Sequence, residues 1–328
     1  MGKRRGQRRG RAARLDRPDR PPFLGNLALL AGSLLLFCLV SEGVLRLLTG
    51  PETNWFGNGT GDNFLASVRR NSDGFRDVEH AIRKEPGVTR IALVGDSFVF
   101  GVPIRDERKI FPGLLQGKLG PRYEVMNVAA PGFNTQQQVA ALANVSEKYG
   151  LDKAVLFFFA NDVEAVDNPA GDSFYDHLVP GQAGHYLYRH SRFYYLLESR
   201  VFRLLERLGA RLSYADYLRS LYASDSRDLA AHREFFRGFL ASIDRTRFVV
   251  VVIPVLHDLE NYKFGAAHDY VKGLAAEQGV AVVDLREAFK GMRAEDLIVN
   301  AYDYHFNERA HAIVADYLLV ALKRIGFL

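Results

Sequence analysis

Five short apolar runs lie between residue 91 and the C-terminal region, and each predicts a buried strand. They cover residues 91–95, 123–128, 153–159, 248–255 and 280–284. Runs that lack polar alternation are typical of parallel strands that are covered on both faces. The pattern therefore indicates a sheet in the middle of the molecule rather than one that faces water.

Segments with helical periodicity separate these runs. They cover residues 110–119, 136–149, 229–243, 266–278 and 308–325. Asn134 or Thr135 is placed to cap the second of them, and Gly150 to end it. Alternating strands and helices with right-handed crossovers predict an α/β fold, namely a three-layer α/β/α sandwich around a five-stranded parallel sheet.

The pattern is different at the N-terminus. Residues 1–22 are rich in Arg, Gly and Pro and are predicted to be a disordered tail. Residues 23–48 are long and apolar enough to cross a bilayer. No run of small residues follows them as a cleavage site would require, so an uncleaved anchor is favoured over a signal peptide. Residues 49–87 are interpreted as a linker that packs on the body, and residues 88–328 as the main domain.

Charge sets the predicted orientation of this anchor. Residues 1–20 contain nine Lys or Arg against two Asp, a net charge of +7, whereas the other 308 residues sum to −2. The positive-inside rule then places the tail in the cytoplasm and the body on the periplasmic side of the inner membrane, with a single span. A basic tail on a nearly neutral body is not typical of a nucleic-acid-binding domain.

The regular pattern is interrupted at residues 163–226, which are interpreted as a helical insertion. Residues 190–223 predict one or two amphipathic helices in which arginines are interleaved with aromatic residues. Three interpretations remain open: helices packed on the body, a cap over a site, or a face that lies on a membrane.

Few residues suggest metal or disulfide chemistry. Cys38 is the only cysteine, so neither an intrachain disulfide nor a cysteine-based metal site is possible. Five histidines without metal-ligand spacing are interpreted as surface or packing residues: His177, His185, His190, His257 and His268. No metal and no cofactor are predicted.

Polar groups follow the first three strands. Ser97 follows the first, Gly132 lies just past the second, and Asn161 follows the third. The carboxyl ends of parallel strands meet at one edge of the sheet, so these residues are expected to converge. A serine nucleophile needs a base, and His305, with Asp303 two residues before it, could return to the same edge from the turn that precedes the last helix. The backbone N–H groups of Ser97 and Gly132 and the amide of Asn161 are suitable donors to an oxyanion.

With these residues in place, the chain resembles the SGNH (GDSL) hydrolases over about residues 88–325. Gly95-Asp96-Ser97 matches the nucleophile block, Gly132 the glycine block, Asn161 the asparagine block and His305 the histidine block. The resemblance implies a flavodoxin-like sandwich and acyl-ester chemistry. It also implies Ser97 as nucleophile, His305 as base, and an oxyanion hole of Ser97, Gly132 and Asn161. The pattern Asn71…Gly74-Phe75-Arg76, together with an anchor, is similar to membrane-anchored bacterial members.

The chain departs from the family pattern at two positions. Phe159 stands where the third block usually begins with glycine, and Tyr302 stands where the acid usually precedes the histidine. The Asp303-Tyr304-His305 spacing is similar to that of proteins of alginate acetylation, so Asp303 is expected to be the acid. Alternatively, a backbone carbonyl orients His305.

The leading hypothesis is therefore a membrane-anchored serine esterase that hydrolyses acyl or acetyl esters, with cell-envelope glycans as a candidate target. An alternative is an O-acetyltransferase that uses the same residues on an exported polysaccharide. A third hypothesis is an inactive member of the family that serves as a binding module.

Overall fold

The computed structural model describes residues 22–48, 62–165, 177–257, 259–300 and 303–328. The predicted disordered tail and the first part of the predicted linker lie outside these ranges, except for Pro22. The chain divides into two compact units, Met1–Pro51 and Glu52–Leu328. In the first unit, α1 spans Pro22–Leu48. Its segment Gly25–Leu48 has a mean hydropathy of 2.1 and is long and apolar enough to cross a membrane.

The second unit is built around a parallel sheet of five strands. These are β1 (Thr89–Gly95), β2 (Tyr123–Ala129), β3 (Lys153–Phe158), β4 (Phe248–Val252) and β5 (Ala281–Asp284). Their order is β2-β1-β3-β4-β5, and all four neighbouring pairs are parallel. This is the flavodoxin-like order, so the prediction of fold class is confirmed.

Strand bounds agree with the predicted runs to within two residues, except at β4. This strand ends at Val252, three residues earlier than its apolar run. Ile253 N still donates to Phe158 O at 2.8 Å, but Pro254 has no N–H with which to continue the ladder. The run therefore leaves the sheet at the edge where the candidate site residues lie.

Ten helices accompany the sheet in the described part of this unit. They are α2 (Asp62–Ser67), α3 (Ser97–Phe100), α4 (Phe111–Leu119), α5 (Thr135–Tyr149), α6 (Gly181–His190), α7 (Arg192–Arg207), α8 (Tyr214–Ser220), α9 (Arg227–Ser242), α10 (Gly265–Glu277) and α11 (Glu308–Arg324). Short 3₁₀ turns cover Glu107–Lys109, Leu285–Phe289 and Ala294–Asp296. Helix α4 packs on α11, whereas α9 packs on both α5 and α10, so two helical layers enclose the sheet.

The prediction of one or two helices over residues 190–223 is confirmed, because Ser191 caps α7 and Ser213 caps α8, whereas α6 ends at His190. One local prediction needs correction. The turn predicted around His305 is instead an antiparallel hairpin of β6 (Ile298–Asn300) and β7 (Asp303–Phe306). Strands of three and four residues are too short to give a readable period.

The segment before β1 is anchored by a buried arginine. Phe75 is only half-buried, whereas Arg76 is 1% exposed. Its guanidinium donates to four carbonyl oxygens at the end of α3 and in the loop that follows it, at 2.5–3.1 Å: those of Phe100, Gly101, Ile104 and Arg105. Burial lowers the pKa of Arg76 to about 10, so the group stays charged at neutral pH. Arg76 therefore fixes the loop behind Ser97.

We expect Arg76→Met to lower the free energy of unfolding by about 3–5 kcal/mol, because four buried carbonyls lose a charged donor. Urea unfolding measures this change. Arg70→Met is the matched control, because Arg70 is exposed and donates to a single carbonyl, that of Gly74, at 3.2 Å. Its expected cost is below about 1 kcal/mol. Equal effects of the two substitutions would show that Arg76 does not hold the loop.

Candidate active site

Ser97 begins a four-residue helix directly after β1. The side chain of Asp96 caps this helix by accepting a hydrogen bond from Phe98 N at 2.9 Å. Gly95 is required because a Cβ there would lie 2.3 Å from Val99 Cγ2, so only glycine lets the helix fold back onto the strand. The sharp turn leaves Ser97 at the carboxyl edge of the sheet.

Ser97, His305 and Asp303 form a continuous hydrogen-bonded chain. His305 Nε2 lies 2.9 Å from Ser97 Oγ, and His305 Nδ1 lies 2.5 Å from Asp303 Oδ1. Asp303 is 4% exposed and also accepts the backbone N–H of His305 at 3.0 Å. A carboxylate on Nδ1 assigns the proton to that nitrogen and leaves the Nε2 lone pair for the serine hydroxyl.

The hairpin explains why an aspartate two residues before the histidine can reach it. Side chains at positions i and i+2 of a strand share a face, so Asp303 and His305 lie side by side on β7. The position of the acid at residue 303 rather than 302 is thus explained by a β-hairpin that the sequence did not predict.

An aromatic cluster holds the imidazole in place. The Phe98 ring lies 5.0 Å from the His305 ring, 4.8 Å from Phe306 and 4.6 Å from Phe159. Phe159, which stands where the SGNH pattern has glycine, is buried against Phe98 and forms part of this wall. It therefore adds rigidity and an apolar surface beside the nucleophile.

Gly132 and Asn161 follow β2 and β3, the strands that flank β1. Their loops are joined because Thr135 N donates to Asp162 O at 3.1 Å and Asn134 Nδ2 donates to Glu164 O at 2.9 Å. Gly132 has φ +81°, and a Cβ there would meet no atom within 4 Å, so the space beside its backbone is open. The two predicted oxyanion donors thus lie on connected loops on either side of β1.

The Asn161 amide is incompletely satisfied. Its Oδ1 is buried and has no hydrogen-bond partner in the part of the chain that the structure describes. A buried polar atom without a partner costs free energy, and the donor that the oxyanion role requires is the other amide atom, Nδ2.

Two buried carboxyls, Asp96 and Asp162, are next in sequence to Ser97 and Asn161. Burial raises the pKa of Asp96 to about 6, against the opposing effects of the Phe98 N–H and of His305. Burial and the nearby Asp96 raise the pKa of Asp162 well above its usual range. Asp162 Oδ2 accepts hydrogen bonds from Phe159 N and Gln138 Nε2, so this side chain fixes the turn that carries Asn161. Neither group makes a hydrogen bond to His305 in the described structure, and Asp303 does.

The remaining described histidines lie outside this site. His268 is buried between Tyr262 Oη, at 2.6 Å from its Nε2, and Asp284, at 3.0 Å from its Nδ1. His311 accepts Phe111 N at 3.2 Å and ties α4 to α11. Among the described residues, no group of three or more His, Cys, Asp or Glu could hold a metal ion.

Sequence reasoning missed the role of Arg76, although the pattern that contains it was noted. A long cationic side chain in a polar segment is usually exposed to solvent, so nothing in the local sequence indicates that Arg76 is buried. The nearest signal is Phe75 next to it, which indicates that this segment packs on the body.

Comparisons with known proteins give matches among solved structures only. No family model and no curated protein sequence matches the chain. A lipase/acylhydrolase from Enterococcus faecalis matches at 16% identity and TM-score 0.42, covering 72% of this chain and 96% of that one. The acetyl xylan esterase AlAXEase matches at 15% identity and TM-score 0.43, over 71% and 99%. A carbohydrate acetylesterase family member from Sinorhizobium meliloti matches at 14% and 0.38, over 73% and 100%. At these values the function has to be argued from the site itself.

Proposed function

We propose that this chain is a serine esterase of the SGNH type that cleaves acyl or acetyl esters through an acyl-serine intermediate. The observation that carries the proposal is the hydrogen-bonded chain Ser97–His305–Asp303 at the carboxyl edge of a parallel sheet. Open parallel sheets bind their ligands at this edge, and a serine becomes nucleophilic when a base accepts its proton.

In the first half-reaction, Ser97 Oγ attacks the ester carbonyl carbon while His305 Nε2 takes the hydroxyl proton. The carbonyl oxygen becomes an oxyanion, which Ser97 N–H, Gly132 N–H and the Asn161 amide stabilise. The carbon–oxygen bond to the alcohol then breaks, and His305 returns the proton to the departing alcohol. Asp303 stabilises the imidazolium in between.

In the second half-reaction, water gives its proton to His305 and attacks the acyl-serine. Collapse of the new tetrahedral intermediate releases the carboxylic acid and restores the Ser97 hydroxyl with the proton from His305. Purified protein should therefore hydrolyse p-nitrophenyl acetate. Absence of turnover, together with absence of reaction with a fluorophosphonate, would favour the inactive binding module.

The oxyanion role of Asn161 has a specific kinetic expectation. Asn161→Ala should lower kcat by about 10²–10³-fold with little change in KM, because the amide acts on charge that develops in the transition state. Asn144→Ala, at an exposed position on α5, is the matched control. A loss in KM alone would assign Asn161 to ground-state binding instead.

A second candidate function is transfer of the acyl group to a polysaccharide hydroxyl. The Asp-x-His pair on β7 favours it, because the same spacing occurs in the resembling proteins of alginate acetylation. Incubation with an acyl donor, with and without oligosaccharide, followed by mass spectrometry separates the two functions. Acylated sugar indicates transfer, and free acid at an unchanged rate indicates hydrolysis.

We further propose that α1 is an uncleaved inner-membrane anchor and that the catalytic unit lies in the periplasm. The length and apolar composition of α1 and the nine cationic residues before it support this topology. Fractionation of cells that carry a C-terminally tagged chain should place the full-length protein in the membrane. A shortened, soluble product would contradict the anchor.

A further inference from the structure

Exposed apolar side chains are concentrated in one part of the catalytic unit. Outside α1, eleven large hydrophobic residues of the described chain are exposed, and seven of them lie between residues 178 and 212. They are Leu178, Val179, Tyr186, Leu197, Leu204, Leu208 and Leu212. Single exposed apolar residues are ordinary on a soluble surface, but a concentration of this kind marks an interaction surface.

Helix α7 arranges part of this set as a stripe. At 100° per residue, Leu197 and Leu204 fall within about 20° of one another on the helix surface, and Leu208, the C-cap residue with helical dihedral angles, continues the same side. Arg200 and Arg207 lie along one flank of the stripe, and both are exposed. We call these five residues the leucine–arginine face. It combines an apolar strip with fixed cationic charge.

The carboxylates of α7 lie away from this face. Glu198 is 2% exposed and accepts Leu178 N at 2.8 Å on the buried side of the helix. Glu206 lies about 180° from Leu197 around the helix. The leucine–arginine face is therefore complementary to a surface in which a layer of anionic groups covers an apolar layer.

The charge of Glu206, near the C-terminal end of α7, acts on a residue of β7. Tyr304, the residue between Asp303 and His305, has a pKa raised by burial and also by the charge of Glu206. The Tyr304 ring also lies 5.5 Å from the His257 ring. The leucine–arginine face is on the side of α7 opposite Glu206, so the helix itself lies between a surface bound there and the strand that carries the base.

We propose that the leucine–arginine face docks on the anionic surface of a phospholipid bilayer, so that the esterase takes acyl esters presented at that surface. Leucines at the headgroup boundary and guanidinium groups on lipid phosphates are the usual contacts of interfacial helices. The proposal rests on the proposed anchor and esterase activity. Residues 49–61 tether the body within at most about 50 Å of the end of α1, which makes the bilayer the surface at highest effective concentration.

A fluorescent probe tests the docking on the full chain. Cys38, the only cysteine, is replaced by serine, and Leu204→Cys is labelled with an environment-sensitive dye. The protein is then placed in phosphatidylcholine nanodiscs with or without phosphatidylglycerol. We expect a blue shift only in the anionic nanodiscs, lost at high salt and in the Arg200→Glu, Arg207→Glu double variant.

Val320→Cys in the same background is the matched control. Val320 is 65% exposed on α11, and Leu204 is 55% exposed. Equal shifts at both positions, or no shift at position 204 in anionic nanodiscs, would overturn the docking. A concentration-dependent shift at position 204 in detergent would assign the face to a second copy of the chain and would also overturn it.

A kinetic comparison tests the consequence for substrate. The Leu204→Asp, Leu208→Asp double variant should turn over a lipid-embedded fluorogenic ester several-fold more slowly than the wild type in anionic nanodiscs. Its turnover of soluble p-nitrophenyl acetate should be unchanged. Equal turnover of the lipid ester would overturn the claim. If the wild type does not hydrolyse p-nitrophenyl acetate, that result counts against the proposed esterase and not against the docking, because the shift of the probe does not depend on Ser97.

Discussion

Replacing Ser97 with alanine is expected to lower kcat for p-nitrophenyl acetate by about 10³–10⁶-fold. The reason is that the acyl-enzyme cannot form without the hydroxyl oxygen that lies 2.9 Å from His305 Nε2. KM should change much less than kcat. Both kcat and KM are measured from the release of nitrophenol, followed continuously or in stopped assays.

The control for this substitution is Ser146→Ala, at an exposed serine on α5. It removes a hydroxyl of the same kind without touching the site and should leave kcat unchanged. Circular dichroism of both variants establishes that they are folded. Wild-type turnover by folded Ser97→Ala protein would exclude the proposed mechanism.

The second large effect is expected for Asp303→Asn, which should lower kcat by about 10³–10⁴-fold. Asparagine keeps the volume of the buried side chain but loses the charge that stabilises the imidazolium. It also presents an amide that permits the wrong tautomer of His305. The 2.5 Å contact between Asp303 Oδ1 and His305 Nδ1 makes the histidine sensitive to both changes.

A second His–Asp pair in the same chain supplies the control. Asp284 contacts buried His268. Burial raises the pKa of Asp284, but hydrogen bonds from His268 and Lys272 and the charge of His268 bring it below its usual value. Asp284→Asn is expected to lower stability at neutral pH, because a carboxylate with a depressed pKa stabilises the fold above its unfolded pKa. It should leave the kcat of folded protein nearly unchanged. If Asp303→Asn loses less than about tenfold, a backbone carbonyl orients His305 instead.

Local sequence patterns were sufficient for the sheet and its helical layers. Apolar runs such as residues 153–159 alternate with segments of helical periodicity, and this alternation is typical of a parallel sheet between two layers of helices. The same reasoning placed Ser97 and Asn161 after neighbouring strands, because the ends of parallel strands share one edge. It also selected His305, which the structure places within hydrogen-bond distance of Ser97.

Other features depend on tertiary contacts that no local pattern records. The β6–β7 hairpin is held by pairing of two very short strands, so it was predicted as a turn. Burial of Arg76 depends on four carbonyls 24 to 29 residues away along the chain. The face of α7 that meets solvent is likewise set by what packs on its other side, Tyr194 and Glu198 among others.

Mass spectrometry of the wild-type protein after reaction with a fluorophosphonate tests the central claim most directly. The proposed mechanism predicts one adduct per chain, on the peptide that contains Ser97, and none after His305→Ala or thermal unfolding. An adduct on another residue, or none from protein that hydrolyses p-nitrophenyl acetate, would contradict Ser97 as the nucleophile.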